Sequence, residues 1–448
     1  MDKIPKSLQY NASKIMMRQN SFVVRPSGTD SGKQNAIFRF VLPERSLIDL
    51  SSLQFIFDAN FTGLVTGNNF LNIKAPAVHK LIKSLKVYIG GQLVSGGQCS
   101  HYDLLYHALL KATASEDYCV SRLESGLQEL LSKGDEFSDF DTAHSATSKQ
   151  VHYTHTDLLG IFRSGDQSII DSSLWGNVEV EITMNTLAGV LKKKGGDGSA
   201  ADNVDVEFSN CHFRVNCITQ ISPLYNEILN VKLSEKGSNI RLPYMNMITN
   251  VLNGNNKASI EVNSGCVDSL LFAPLLSTYD APTVVAHNAN PTSANANRYV
   301  FSTGRSVADA NTASLFVSVG SENYPRQPYT NALDIAPSTT QAFYGQASDS
   351  RNLLYQNISS TNAGTPAAQT YSKANFLTQN FIYVIPFSSA KEGWKTRQLS
   401  GVDTASQSIS MSINQTNLIT AGGFAFVCAL TTSLLIYDTD TQSVRVVL

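Results

Sequence analysis

The sequence predicts an all-β protein built from two consecutive antiparallel β-sandwiches, with long loops and a helical insertion in the first. Three observations carry that expectation. Apolar residues fall in short alternating runs: Cys211, Phe213, Val215 and Cys217 lie to one side of a strand, His212, Arg214 and Asn216 to the other. Only 16% of the 448 residues are charged, against about 25% in an average globular protein, and Asn, Ser, Thr and Gln carry the polar load. The two halves also close on one pattern. "NVEVEITMN" then "VEFSNCHFRVNCI" ends the first, and "SQSISMSINQ" then "GFAFVCALTTSLLIYD" ends the second.

The first half opens on a phosphate-loop lookalike. Gly28 to Lys33 ends in Gly-Lys, but the glycine spacing is one residue short and Gln34 stands where Ser or Thr should bind magnesium. The flanks, Ser21 to Val24 and Ala36 to Leu42, are β-branched and aromatic, so the segment is strand, polar turn, strand. Further strands are expected at Leu53–Phe57, Leu85–Val94, Val178–Met184 and Val204–Ile218. Helical spacing is confined mainly to Ser100–Lys133. Ser100 and Asp103 sit as a cap before Leu104, Leu105, Ala108 and Leu109, and a second helix runs from Ser115 through Leu131 to Lys133-Gly134. "KKKGGDGSAADN", residues 192–203, is expected to be a solvated loop.

A short helix is expected over Leu224–Leu229, within the join between the halves. Strands follow at Ser259–Val262, Leu270–Ala273, Leu315–Val319, Phe381–Pro386, Ser408–Ile413 and Phe424–Tyr437, separated by a long Ser/Thr/Asn/Ala-rich stretch from Ala281 to Ala374. The uncharged run Ala421–Tyr437 is at the bottom of membrane-spanning length, about 17 to 25 residues. Gly422-Gly423 and Thr431-Thr432-Ser433 mark it instead as core strand. The reading divides the chain into an arm over 1–18, a first sandwich over 19–221, a linker over 222–239 and a second sandwich over 240–448.

Candidate chemistry is sparse. A net charge of −2 gives no global basic field for nucleic acid, and the first residues lack the apolar core of a secretion signal. Cys99, Cys119, Cys211, Cys217, Cys266 and Cys428 show no metal-type spacing. Cys211 and Cys217 would stand about 20 Å apart on one strand, at ~3.3 Å per residue, whereas a disulfide needs Cα atoms about 4.4–6.8 Å apart. They are expected to be small buried residues. His152 and His155 fall on opposite sides of a strand, so one tetrahedral site cannot use both. His101 and His107 flank Cys99 in sequence without an orienting third group. Asp197, Asp202 and Asp205 miss calcium-loop spacing. Asn60-Phe61-Thr62 and Asn357-Ile358-Ser359 match the glycan-acceptor pattern, which a chain without a secretion signal is not expected to use.

Each half, at roughly 200 residues with many short strands, suits an eight-stranded jelly roll. The segment "LLGIFRSGDQSIIDSSLWGNVEVEITMN", Leu158 to Asn185, and the C-terminal "SGVDTASQSISMSINQT" and "GGFAFVCALTTSLLIYD" carry a resemblance. The sequence resembles the double-jelly-roll major capsid proteins of tailless icosahedral double-stranded DNA viruses, of the virophage and polinton-like type.

That resemblance implies a structural protein of the virion whose two-roll subunits form pseudo-hexameric homotrimers that tile an icosahedral shell. Its partners would be copies of itself together with penton and minor capsid proteins. The arm over 1–18, with Lys3, Lys6, Lys14 and Arg18, would face inward to neighbouring capsomers, an internal membrane or the genome. No enzyme activity, catalytic residue, cofactor, metal or small-molecule substrate is expected. The competing reading is a carbohydrate- or receptor-binding β-sandwich that presents loop aromatics, with Tyr279, Tyr299, Tyr324, Tyr329 and Tyr344 as candidates.

Overall fold

The computed structural model describes residues 18–62, 73–74, 77–113, 148–163, 169–187, 192–194, 205–220, 223–234, 239–253, 257–275, 286–287, 299, 301–303, 314–329, 381–387, 401–405, 411–416, 418–419, 423–441 and 443–447. The arm over 1–17, the second predicted helix (Ser115 to Gly134), Cys119 and most of the 281–374 stretch lie outside these residues.

Eight strands of the first half form two sheets. They are β1 (Arg18–Val24), β2 (Ile37–Val41), β3 (Leu47–Thr62), β4 (Ile82–Ile89), β5 (Gln92–Ser95), β6 (Ser148–His155), β7 (Val178–Met184) and β8 (Asp205–Gln220). Their order is β1-β8-β3-β6 in one sheet and β2-β7-β4-β5 in the other. The second half repeats this with β9 (Asn239–Asn253), β10 (Lys257–Ile260), β11 (Val267–Leu275), β12 (Ser314–Val319), β13 (Glu322–Tyr329), β14 (Tyr383–Pro386), β15 (Met411–Thr416) and β16 (Phe424–Asp438). Here the orders are β9-β16-β11-β14 and β10-β15-β12-β13, so each strand occupies the place of the strand eight earlier. All pairings within these four sheets are antiparallel. Two facing four-stranded sheets between which the chain crosses at every step but one, the β4-β5 or β12-β13 hairpin, make a jelly roll, and the chain contains two.

Alternation explains the first core. Phe55, Phe57, Ala59 and Phe61 of β3, Cys211, Phe213, Val215 and Cys217 of β8, and Phe38 and Phe40 of β2 are all buried. The Phe213 ring lies 4.6 Å from Phe40 and 5.4 Å from Phe55, centroid to centroid. These are edge or tilted contacts of the kind aromatic quadrupoles favour.

The glycine-rich turn after β1 does connect two strands. They belong to different sheets, so it is a crossover between the layers, with Gly32–Lys33 adding briefly to β8.

The structure corrects three sequence expectations. The run Leu85–Val94 is two strands, because Gly90 (φ 58°) and Gly91 (φ 79°) supply the paired positive φ values of a tight hairpin turn. Residues 192–194, expected in a solvated loop, form a short strand between Ile73–Lys74 and Ala286–His287. The two neighbouring strands supply backbone partners that outweigh the low strand preference of lysine. Leu53–Phe57 is the middle of the sixteen-residue β3, whose polar outward positions hid its length.

Of the predicted helices, α1 spans Tyr102–Thr113. A single turn, α2 (Ser172–Trp175), is capped by the Asp171 carboxylate, which accepts from the Ser173 backbone N–H. α3 (Pro223–Ser234) fills the region of the join. It docks on the first roll through Tyr225, which packs with Leu47 and donates to Asp171 Oδ2 at 2.9 Å. Asp103, expected to close a cap on α1, is fully buried and accepts from Asn185 and Tyr299.

The apolar run 424–437 has a specific cause. On β16, Ala425, Val427 and Ala429 point into the second roll's own core, while Phe426, Cys428 and Leu430 join the core shared with the first roll. Leu270 and Phe272 against Leu271 and Ala273, and Tyr383 and Ile385 against Ile382 and Val384, divide in the same way. A strand buried on both faces loses the polar half of its alternation. No described helix is long and apolar enough to cross a membrane.

Candidate functional site

The region that gathers the most unusual chemistry is the junction where the sheet β9-β16-β11-β14 lies against the first roll. Tyr244 of β9 donates to the Val94 carbonyl of β5 at 2.6 Å. The Thr249 backbone N–H donates to the Gln98 carbonyl at 3.0 Å. The ring of His101, just before α1, stands edge-on to Phe426. At the far end Trp175 meets Tyr437 edge-to-face at 5.9 Å. Gly90 leaves room there for Val444 of the C-terminal strand β17 (Ser443–Val447), which pairs with β16.

A buried polar cluster completes the junction. A short 3₁₀ turn, Val78–Leu81, precedes β4 and buries His79 and Lys80. The rings of His79 and His107 stack at 5.3 Å, with His79 Nε2 3.1 Å from His107 Nδ1. Lys80 Nζ sits 4.7 Å from the centre of the Tyr299 ring, a cation–π contact out of water. The Tyr299 hydroxyl donates to Asp103 Oδ2 at 2.9 Å. Asn185 Nδ2 donates to the same oxygen and to the Lys80 carbonyl, at 3.2 and 3.0 Å. Tyr299 and Phe301, which contacts His107, follow β11, whereas the other residues belong to the first roll.

Lys80, Asp103, His79 and Tyr299 are each at most 2% exposed. Groups so enclosed are out of a substrate's reach, whereas buried hydrogen bonds of this kind favour one relative placement of two apolar surfaces. The cluster therefore acts as an orienting clamp between the rolls.

The nucleophile candidates fall apart on the same geometry. Burial pushes the Cys99 thiol up to about 12, and its hydrogen bonds are to the Thr249 side chain and the His101 backbone rather than to an imidazole ring. Burial likewise raises Cys211 to about 12 and Cys217 and Cys428 above their ordinary value. The described cysteines, Cys99, Cys211, Cys217, Cys266 and Cys428, are free and buried.

His152 and His155 point to opposite sides of β6, as their spacing predicted. His152 is exposed and pairs with Asp58 at 2.7 Å. His155 is buried against the Tyr102 hydroxyl at 3.1 Å. Among the described residues no group of three or more His, Cys, Asp or Glu is placed to hold a metal. Asp197, Asp202 and Asn357 lie outside those residues.

The aromatics proposed for a glycan surface do not form one where they are described. Tyr299 is buried in the clamp, and Tyr324 packs edge-on to Phe387. Tyr279 and Tyr344 lie outside the described residues, as does the side chain of Tyr329. Sequence reasoning missed His79, Lys80 and Asn185. The one signal available was a His-Lys pair inside the apolar run Ala77–Ile82.

The open surface of the first roll is different in kind. On the outer face of β2-β7-β4-β5, Glu181 accepts from Arg39 at 2.8 Å and Lys86 at 3.1 Å. Burial opposes its ionisation, and the two cationic donors overcome that, holding the carboxyl below its ordinary value. A depression of about 170 Å3 beside it is lined by Arg39, Tyr88, Glu179, Val180 and Glu181. Val23, Ile37 and Val41 stand exposed on the edge strands β1 and β2.

Neither a protein-family model nor a curated protein matches the chain. Solved structures do. A quasi-atomic model of the PBCV-1 virus capsid aligns at a TM-score of 0.56 and 11% identity, over 94% of each chain. The PBCV-1 protein VP54, fitted into a reconstruction of the virophage Sputnik, aligns at 0.55 and 11% identity, over 94% of this chain and 95% of that one. The structure of the Sputnik virophage itself aligns at 0.52 and 12% identity, over 96% of this chain and 88% of the other. The likeness extends over nearly the whole chain and establishes the double-jelly-roll fold.

Proposed function

We propose that this chain is the major structural protein of an icosahedral virus shell, in which three copies form a pseudo-hexameric capsomer. The observation that carries the reading is the strand-for-strand repetition of one roll by the other, on a fold shared over 94% of the chain with a viral capsid structure. Two similar upright units per chain give three chains a six-sided outline, which packs a curved lattice without gaps. The buried clamp supports the same reading, because a building block must hold its two rolls at one fixed angle.

On this account the protein resides in the virion, has no catalytic role, and meets copies of itself, penton proteins and minor capsid proteins. The arm over 1–18 contacts neighbouring capsomers, an internal membrane or the genome. The boundaries at 18/19, 221/222 and 239/240 separate arm, first roll, linker and second roll.

Mass in solution tests the reading. Light scattering on the purified chain is expected to give about 146 kDa, three times the 48.7 kDa of one chain, or larger assemblies. A 48.7 kDa particle at all accessible concentrations would contradict it.

A further inference from the structure

The clamp between the rolls contains two histidines whose hydrogen bond depends on how many protons they carry. His79 Nε2 lies 3.1 Å from His107 Nδ1, with the ring centres 5.3 Å apart and the planes 26° from parallel. One of these nitrogens must donate and the other accept. Two neutral imidazoles meet that condition, and so does a pair with one extra proton, but two imidazolium rings set N–H against N–H. The folded chain therefore takes up at most one proton here with the bond intact. A chain in which the two rings have separated takes up two.

The surroundings oppose even the first of those protons. His79 is 0% exposed and His107 3%, and a charge taken out of water is costly unless it is paired. The 3₁₀ turn itself adds the buried Lys80. From α1 come Tyr106, stacked on His79 at 5.3 Å, and Asp103, whose carboxylate accepts from Asn185 and Tyr299. From β6 comes His155, 4.9 Å from the Tyr106 ring and bonded to the Tyr102 hydroxyl. Lys83 of β4 is exposed. The second roll supplies the rings of Tyr299 and Phe301, 5.2 and 5.9 Å from His107. Among the described residues of the cluster, the buried bases His79, Lys80, His107 and His155 thus gather around a single buried carboxylate, Asp103.

We infer that the His79–His107 pair makes the junction an acid-operated latch. Neutral, the pair holds Tyr299 and Phe301 of the second roll against the first. Doubly protonated, it releases them, and the rolls part along the face that carries Phe426 and Cys428. For an imidazole of ordinary value, about 6.5, a fall from pH 7 to pH 5 favours the state that binds one more proton by about 25-fold. The latch belongs to the single chain and holds whether or not copies assemble. On the assembly reading above, it loosens the building block where the surroundings turn acidic.

Thiol accessibility in the full chain tests it, with 4,4′-dithiodipyridine as the probe. Cys99, bonded to Thr249 of β9, and Cys428 of β16 lie at the junction, whereas Cys211 of β8 lies in the first roll's core. Labelling rates at pH 7 and pH 5 are each divided by the rate of the denatured chain at the same pH, which removes the pH dependence of thiol and reagent. The expected result is a rise of at least tenfold at Cys99 and Cys428 on going to pH 5, with Cys211 unchanged. His79→Gln and His107→Gln keep a neutral hydrogen-bonding side chain and should each reduce the rise to below threefold; where one does not fold, the other decides. His155→Gln should keep the full rise.

A flat profile in the unsubstituted chain would overturn the latch whatever the variants do. So would a rise that persists in a folded His79→Gln or His107→Gln, one lost only in His155→Gln, or one in which Cys211 opens together with the junction.

Discussion

Replacing Gly90 by alanine tests how tightly the second roll's C-terminal strand is seated on the first. Gly90 and Gly91 both hold positive φ, at 58° and 79°, so alanine at either costs about 1 kcal/mol in backbone conformation alone. Their surroundings differ. A Cβ on Gly90 would come within 2.8 Å of the Trp175 carbonyl oxygen and 3.2 Å of Val444 Cγ2, whereas one on Gly91 meets nothing within 4 Å. Overpacking a fixed site costs about 1–3 kcal/mol more. Gly90→Ala is therefore expected to lose about 2–4 kcal/mol and Gly91→Ala about 1 kcal/mol.

Urea unfolding followed by tryptophan fluorescence measures both, and the difference isolates the contact because the turn conformation is common to the pair. Adding Val444→Ala to Gly90→Ala should recover part of the loss, since it removes one of the two clashing groups. Equal penalties for the two glycines, or no recovery in the double variant, would show that the hairpin turn does not bear on the strand that follows β16.

Three further outcomes follow from the same structure. Phe426 is fully buried at the junction, so Phe426→Ala is expected to destabilise by about 3–5 kcal/mol in chemical denaturation; a loss below 1 kcal/mol would mean the junction is loosely packed. The depressed ionisation of Glu181 makes a contribution that is present above the unfolded carboxyl's ordinary value, 4.5, and is lost as pH falls through the lower folded value. Melting temperature should thus drop below that pH in the unsubstituted chain and less steeply in Glu181→Gln, a comparison that fails if the two slopes coincide. The thiols of Cys99 and Cys211, raised to about 12 by burial, should resist iodoacetamide at pH 8 in the folded protein and react after denaturation. Peptide mapping that finds either one alkylated in the folded state would place it at the surface.

How far the sequence reveals this fold depends on what each strand faces. β8, β7 and β2 have one wet side, and their alternation is legible in the residues themselves. β3 is legible only in its middle, because Asp49, Ser51 and Ser52 form local side-chain bonds that resemble a turn. β16 is apolar throughout because it is buried twice over, so its pattern imitates a membrane segment until the second roll's position is known. The hairpin at Gly90-Gly91 is present in the sequence as a Gly-Gly pair, but it lies inside a longer apolar run that reads as one strand. The duplication of the rolls could be read from the order of patterns rather than from shared residues, since the register of a sheet constrains polarity far more than identity.

The junction cluster was out of reach for a different reason. His79, Lys80, Asp103, Asn185 and Tyr299 are dispersed over more than two hundred positions and carry no spacing rule; only the packing of one roll on the other brings them together. Asp103 shows how a local rule can be overridden. It stands where a capping residue belongs, and the tertiary structure uses its carboxylate to hold Asn185 and Tyr299.

Electron microscopy of the purified protein bears most directly on the claim that two equivalent rolls in one chain build a six-sided unit from three chains. The account predicts class averages with a hexagonal outline and a threefold axis, in which two alternating densities repeat around the ring. Isolated two-lobed particles, or rings with any other symmetry, would contradict it.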